Sequence, residues 1–265
     1  MNMYLYELKA YRNATMIWTA SMTGLVLLMM VMYPAFSADA EAFMDVLASM
    51  PESVVQAIGI QIDSIASLLG YYSYIFLYVS LCGAIQAMHL GSSILSKETR
   101  EKTADFLLAK PVTRGAIITS KALAALTLLL ATNAVYFVAA SLIAASVALE
   151  PYDYGAFALI SLSLLLLQLI FLAMGIAAAM LLPRMKTVLP VSLGTVFAFF
   201  VLTFIGSSSG DGKLRYVTPF QYFDRAYIIQ HGSYETGFVA ASLVIIAACS
   251  FFGYIRYRKR DVHAV

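Results

Sequence analysis

The chain is poor in charge. Only 12% of its 265 residues are Asp, Glu, Lys or Arg, about half the share of a soluble domain. Too few charges remain to coat a water-facing surface, so a soluble globular protein of this length is excluded. Cysteine is scarce too: Cys82 and Cys249 each lie inside an apolar run. Two isolated cysteines build neither a disulfide framework nor a zinc site, and they read as small buried hydrophobes. The three histidines, His89, His231 and His263, sit in unlike surroundings. No His pair, no His–carboxylate spacing and no Ser–His–Asp or Cys–His set emerges, which leaves metal and nucleophilic chemistry without residues. The sequence offers no internal repeat and no low-complexity linker. One loop, Gly206 to Lys213, looks glycine-rich enough for a phosphate loop. Its spacing fails, because Ser207 stands where the first glycine belongs and Leu214 where a magnesium-binding hydroxyl belongs.

What the chain has is apolar length. Hydrophobic residues make up 61% and the mean hydropathy is +0.81. Crossing about 30 Å of hydrocarbon takes about 20 apolar residues in a helix. Six runs qualify: 15–34, 71–95, 119–148, 156–182, 188–206 and 236–255. They are too long, and too evenly apolar, for barrel strands, whose polarity alternates. The expected fold is all-α: one polytopic membrane domain over 1–265 with six transmembrane helices.

Basic residues orient the spans. Lys9 and Arg12 precede the first. Lys97, Arg100, Lys102, Lys110, Arg114 and Lys121 lie between the second and third, Arg184 and Lys186 between the fourth and fifth, and Arg256, Arg258, Lys259 and Arg260 after the sixth. With six crossings, these fourteen fall on one side, and only Lys213, Arg215 and Arg225 on the other. The first side is expected to be the cytoplasm, with both termini in it. Ala38-Asp39-Ala40 fits a signal-peptide cleavage site, but the preceding run is longer than a signal's apolar core. Met1–Arg12 is therefore expected to be retained. Residues 2–14 pattern as an interfacial helix, with Tyr4, Leu5, Leu8 and Tyr11 at helical spacing. On the far side, 39–61 reads as short helices broken at Pro51. The aromatic-rich segment 211–235 reads as an interfacial cluster or as a gate that re-enters the bundle.

Inside the spans, polar groups are few. Gln86 and Gln168 either line a route or bridge helices, and His89 stands near the end of the second span. No carboxylate lies at mid-span for a coupled proton or ion, so energy for transport is expected to come from another chain.

The loop between spans two and three is the informative segment. A surface helix is expected here, capped by Thr103, with Asp105 at the positive end of its dipole and Pro111 as its terminator. Phe106, Leu107 and Leu108 form an apolar knob on this charged loop, which either lipid or a groove on a soluble partner would cover. Glu98, Lys102 to Arg114 (Lys-Thr-Ala-Asp-Phe-Leu-Leu-Ala-Lys-Pro-Val-Thr-Arg) and Lys121 resemble the signature loop of ABC-2 type transporter permeases. The departures are Lys102, where many members have Gly, and Thr113, where many have Ser. Tyr216-Val217-Thr218-Pro219-Phe220-Gln221-Tyr222-Phe223 is similar to the family's aromatic stretch before its last span, and Glu7 with Arg12 fits its N-terminal start.

The resemblance implies a permease of an exporter in a bacterial or archaeal cytoplasmic membrane. Two such chains, identical or related, would pair with two separate cytoplasmic ATPase subunits. The loop 96–118 would be the coupling helix seated in the ATPase, and 2–14 the elbow helix. Spans two and five would line the route, and the segment between spans five and six would dip in from outside. The residues implied in coupling are Glu98, Thr103, Asp105, Phe106, Leu107, Leu108, Pro111, Arg114 and Lys121, with Glu98 and Arg114 bracing the loop. Candidates for path or gate are Gln86, His89, Gln168, Pro219, Phe220 and Tyr222. This chain would bind no cofactor and no metal, ATP and magnesium belonging to the ATPase; its other partners would be membrane lipids, and nucleic acid none. The rival readings are a membrane-embedded enzyme, which lacks clustered His or carboxylates, and a sensory or scaffold subunit that recruits a partner and moves nothing.

Overall fold

The structure, a computed structural model, describes residues 3–51, 65–101, 112–182, 187–209 and 212–259. Among them every regular element is a helix. They are α1 (Met3–Met30), α2 (Tyr33–Ala38), α3 (Ala40–Ala48), α4 (Leu68–Arg100), α5 (Arg114–Val147), α6 (Tyr154–Leu181) and α7 (Leu189–Ser209). After these come α8 (Gly212–Val217), a single 3₁₀ turn (Pro219–Gln221), α9 (Arg225–His231) and α10 (Thr236–Lys259). Six stretches are long and apolar enough to cross a membrane: Met3–Ala38, Leu68–Glu98, Arg114–Val147, Tyr154–Leu181, Leu189–Gly206 and Thr236–Arg258. The chain is an all-α polytopic membrane protein.

Local chemistry explains the helix ends. Ser67, Thr113, Asp153 and Asp224 each accept a bond from a free backbone N–H and so start α4, α5, α6 and α9. Gly232, in the left-handed region at φ 62°, closes α9. Helices α4, α5 and α10 outrun the expected apolar runs by about a turn, since nothing in their charged ends breaks them. The same cause removes the expected boundary at 14/15. No Gly occurs before Gly24 and no Pro before Pro34, so α1 runs from the elbow region into the first span as one helix.

The bundle is built on α4 and α6, whose apolar windows are 78% and 67% buried. They cross closely. A Cβ on Gly91 would collide with the Leu172 carbonyl, and one on Gly175 would lie 2.5 Å from that of Met88. Ser92 Oγ donates across the crossing to the Gly175 carbonyl at 3.1 Å. Small residues let backbones approach where lipid gives little hydrophobic drive for association. By contrast, α1, α7 and α10 are only 22%, 22% and 17% buried and form the outside of the bundle. The expected route along spans two and five is thus unequal: α7 presents an open face, while α4 shows mainly a half-buried stripe of Tyr74, Tyr78, Cys82 and His89.

Candidate functional site

Three helix ends meet at the two chain positions that flank 102–111: the start of α1, the end of α4 and the start of α5. At their junction lies Lys121, with its side chain fully buried. Its Nζ donates to Glu7 Oε1 at 2.9 Å and to the Ile94 carbonyl at 2.6 Å, and pairs with Glu98 Oε1 at 2.5 Å. An ammonium has three protons, and Lys121 has three acceptors. Ile94 and Glu98 are four residues apart, so α4 offers both on one face. The Glu7 side chain is 2% exposed, and its second oxygen has Lys97 Nζ 3.9 Å away. Lys97 in turn stands over the rings of Tyr6 and Tyr11, at 4.8 and 5.8 Å. Hydroxyl pairs Tyr11–Ser93 and Tyr4–Thr127, both at 3.0 Å, flank the cluster.

Two carboxylates and two ammoniums thus balance in a nearly dry pocket. Removing one partner of a buried pair costs about 3–5 kcal/mol, because the other charge is stranded. The geometry ties the two chain segments that lead into and out of 102–111 to each other, and both to α1.

Of the residues expected to act in coupling, Glu98 and Lys121 come together here. Of the two residues expected to brace the loop, Glu98 pairs with Lys121, and Arg114 Nη1 donates to the Arg258 carbonyl on α10 at 3.4 Å. Helix α5 lifts Lys121 two turns beyond Arg114, into the packed junction. Thr103, Asp105, Phe106, Leu107, Leu108 and Pro111 lie outside the described residues. Sequence reasoning missed Glu7 as a partner, although it is the one carboxylate in the first 38 residues. That isolation, beside a basic start to a span, was the available signal.

Deeper in the bundle, Gln86 and Gln168 bridge helices. Gln168 Nε2 donates to Gln86 Oε1 at 3.0 Å, Gln86 Nε2 to Thr132 Oγ1 at 3.1 Å, and Asn133 Nδ2 to Gln168 Oε1 at 2.5 Å. Thr19 on α1 donates to Thr132 at 3.1 Å. The amides of both glutamines are thereby taken up between α4, α5 and α6. A second buried knot joins Tyr72 to Tyr136 and Ser161, at 2.9 and 2.8 Å. His89 is half-buried on the open stripe of α4.

At the opposite end the segment after α7 turns back into the bundle. Phe220 packs on Phe171, near the middle of α6, and on Phe200 of α7, with ring centroids 5.3 and 5.5 Å apart. Pro219 and Tyr222 are buried; the Tyr222 hydroxyl donates to the Tyr216 carbonyl at 2.5 Å, and its ring stacks on Phe238. Burial raises the Tyr222 pKa. Gln221 Nε2 donates to the Thr203 carbonyl at 2.9 Å and pins the turn to α7. Phe220 and Gln221 thus pack this segment against α6 and α7.

Six apolar helices with no strand among the described residues are the setting in which a family match is found. The family model described as ABC-2 family transporter protein matches residues 1–262. The chain belongs to the ABC-2 family of transporter proteins. It is a membrane transport component, and members of the family in general associate with ABC ATPase subunits. A search of curated proteins finds no match.

Proposed function

We propose that this ABC-2 family chain is the permease half of an ATP-driven exporter, and that Phe106, Leu107 and Leu108 seat it on a separate cytoplasmic ATPase. The observation that supports this most is the buried Glu7–Lys97–Glu98–Lys121 cluster. A partner that pushes on 102–111 needs the ends of that segment fastened to the spans, and the cluster is such a fastening. Thr103, Asp105 and Pro111 shape the docking helix in this reading, and Arg114 sets its return to α5. Two permease chains, two copies of this one or this one with a relative, work with two ATPase subunits, which hold ATP and magnesium. The chain sits in the cytoplasmic membrane of a bacterium or archaeon with both termini inside, as the bias of basic residues favours. The open face of α7, the half-buried stripe with His89, and Phe220 on its re-entrant turn are the parts from which a route and an outer gate are built.

Affinity purification of the full chain from its own membranes tests this. The wild type should bring down a chain that hydrolyses ATP, and Leu107→Asp or Phe106→Asp should lose it while staying in the membrane. Retention of the ATPase by both variants would overturn the docking assignment. Absence of any ATPase from the wild type would favour a scaffold or sensory subunit.

A further inference from the structure

At the end of the bundle remote from the ion cluster, the first span is bent. Its apolar stretch runs Met3–Ala38, yet α1 stops at Met30 and α2 begins at Tyr33. Pro34 has no N–H to give the Met30 carbonyl, so the helical ladder cannot run through it. Val31 N still donates to Leu27 O at 3.1 Å, but Met32 N donates to Met29 O, three residues back, at 3.1 Å. The ladder thus tightens into a turn at Val31 and Met32, and both side chains are exposed.

Two tyrosines fasten this bend to the start of α4. On one side of the turn, the Tyr71 hydroxyl of α4 donates to the Met29 carbonyl at 3.1 Å. On the other side, the Tyr33 hydroxyl donates to the Ala66 carbonyl at 3.2 Å, next to Ser67, which caps α4. The two bonds are reciprocal: one runs from α4 to the end of α1, the other from the start of α2 to the entry of α4. Both tyrosines are buried, and their rings lie 5.5 Å apart. Phe36 of α2 packs on Tyr71 at 4.9 Å and meets Phe43 of α3 edge-on at 5.0 Å. Phe36, Phe43 and Met44 all pack on the buried cluster that holds Tyr33, Leu68 and Tyr71. No ion pair among the described residues holds α2 or α3. They are held by rings and two hydroxyls. A hydroxyl bond contributes little net, because water replaces it when the groups part. A turn without the i→i+4 ladder also pivots without breaking the helices on either side.

The geometry points to a releasable clasp made by Tyr33 and Tyr71. The α2–α3 strap pivots at Val31 and Met32, and release of the two hydroxyls frees the end of α1 from the start of α4. That this release serves the passage of cargo rests on the permease reading; the clasp and its pivot do not. The test therefore uses the chain alone, with no ATPase present, and a failure leaves the permease reading standing.

Hydrogen–deuterium exchange of the full chain in neutral detergent reads the opening, because a bonded amide exchanges when its segment opens. Tyr33→Phe combined with Tyr71→Phe keeps both rings and removes only the two donors. In that double variant, peptides from 33–48 and from 68–72 should exchange about tenfold or more faster than in the wild type. Peptides from α6 should keep their wild-type rates. Wild-type exchange at 33–48 and 68–72, or an equal acceleration in α6, would overturn the proposal. Should the double variant fail to fold, the wild type decides. Its 33–48 and 68–72 peptides should open together, with the same response to added urea, since one clasp holds both. Separate responses of the two segments would overturn it.

Discussion

At the end of the bundle where α4 stops and α5 starts, Glu7, Lys97, Glu98 and Lys121 are drawn inward and matched against one another. At the opposite end Arg215 and Glu235 pair with side chains still 29% and 34% exposed, and Arg225 makes no ion pair among the described residues. The first end is held by charges that fit only one arrangement. The second is held by rings: Phe220 on Phe171 and Phe200, Tyr222 and Tyr216 on Phe238. Aromatic contacts tolerate sliding in a way that a three-acceptor ammonium does not. In the proposed permease, the loop end would transmit a push without giving way, and the far end would change shape.

The sharpest way to break this contrast is Lys121→Met. It strands the buried Glu7 and the partly exposed Glu98 carboxylate and should cost about 3–5 kcal/mol, read as a large fall in the thermal unfolding midpoint in detergent. A midpoint within a degree of wild type would show that the cluster carries no structural weight. Next is Gly175→Val, which drives a side chain into the α4–α6 crossing, where a Cβ already meets Met88 O at 2.5 Å. Overpacking there should cost about 1–3 kcal/mol. Gly24→Ala, with no atom within 4 Å of the added Cβ, should cost nothing and serves as the control. Gln168→Leu removes the donor to Gln86 and the acceptor for Asn133, leaving buried polar groups at about 1–3 kcal/mol each. The smallest effect belongs to the far end. Arg215→Gln should cost no more than about 1 kcal/mol, as half-exposed pairs do, and the loss should shrink further in high salt.

Much of this architecture is written in the chain one helix at a time. Twenty apolar residues in a row have few options in lipid, so the six spans are legible, and the loss of a break at residue 14 follows from the lack of any Pro or Gly to make one. The ion cluster is not legible in that way. Residues 7, 98 and 121 belong to three helices, and only their packing brings Glu7 to Lys121; a resemblance singles out Glu98 and Lys121 without pairing them. Gln86 and Gln168 stand out as polar residues in apolar runs, yet their partners Thr132 and Asn133 become visible only once α4, α5 and α6 are side by side. Arg225 is conspicuous as one of three basic residues on its side, but that Arg215, and not Arg225, pairs with Glu235 is a property of the fold alone.

The central claim is that the cluster hands motion at the 102–111 segment to the spans. Its most direct test is a distance across the far end in the complex with the ATPase. Spin labels at the exposed positions Leu149 and Tyr216, with Cys82 and Cys249 replaced, report that distance by pulsed electron resonance. Adding ATP should shift it in the wild-type background. In Glu7→Gln the complex should still hydrolyse ATP while the shift disappears; a shift that survives in Glu7→Gln would contradict the account.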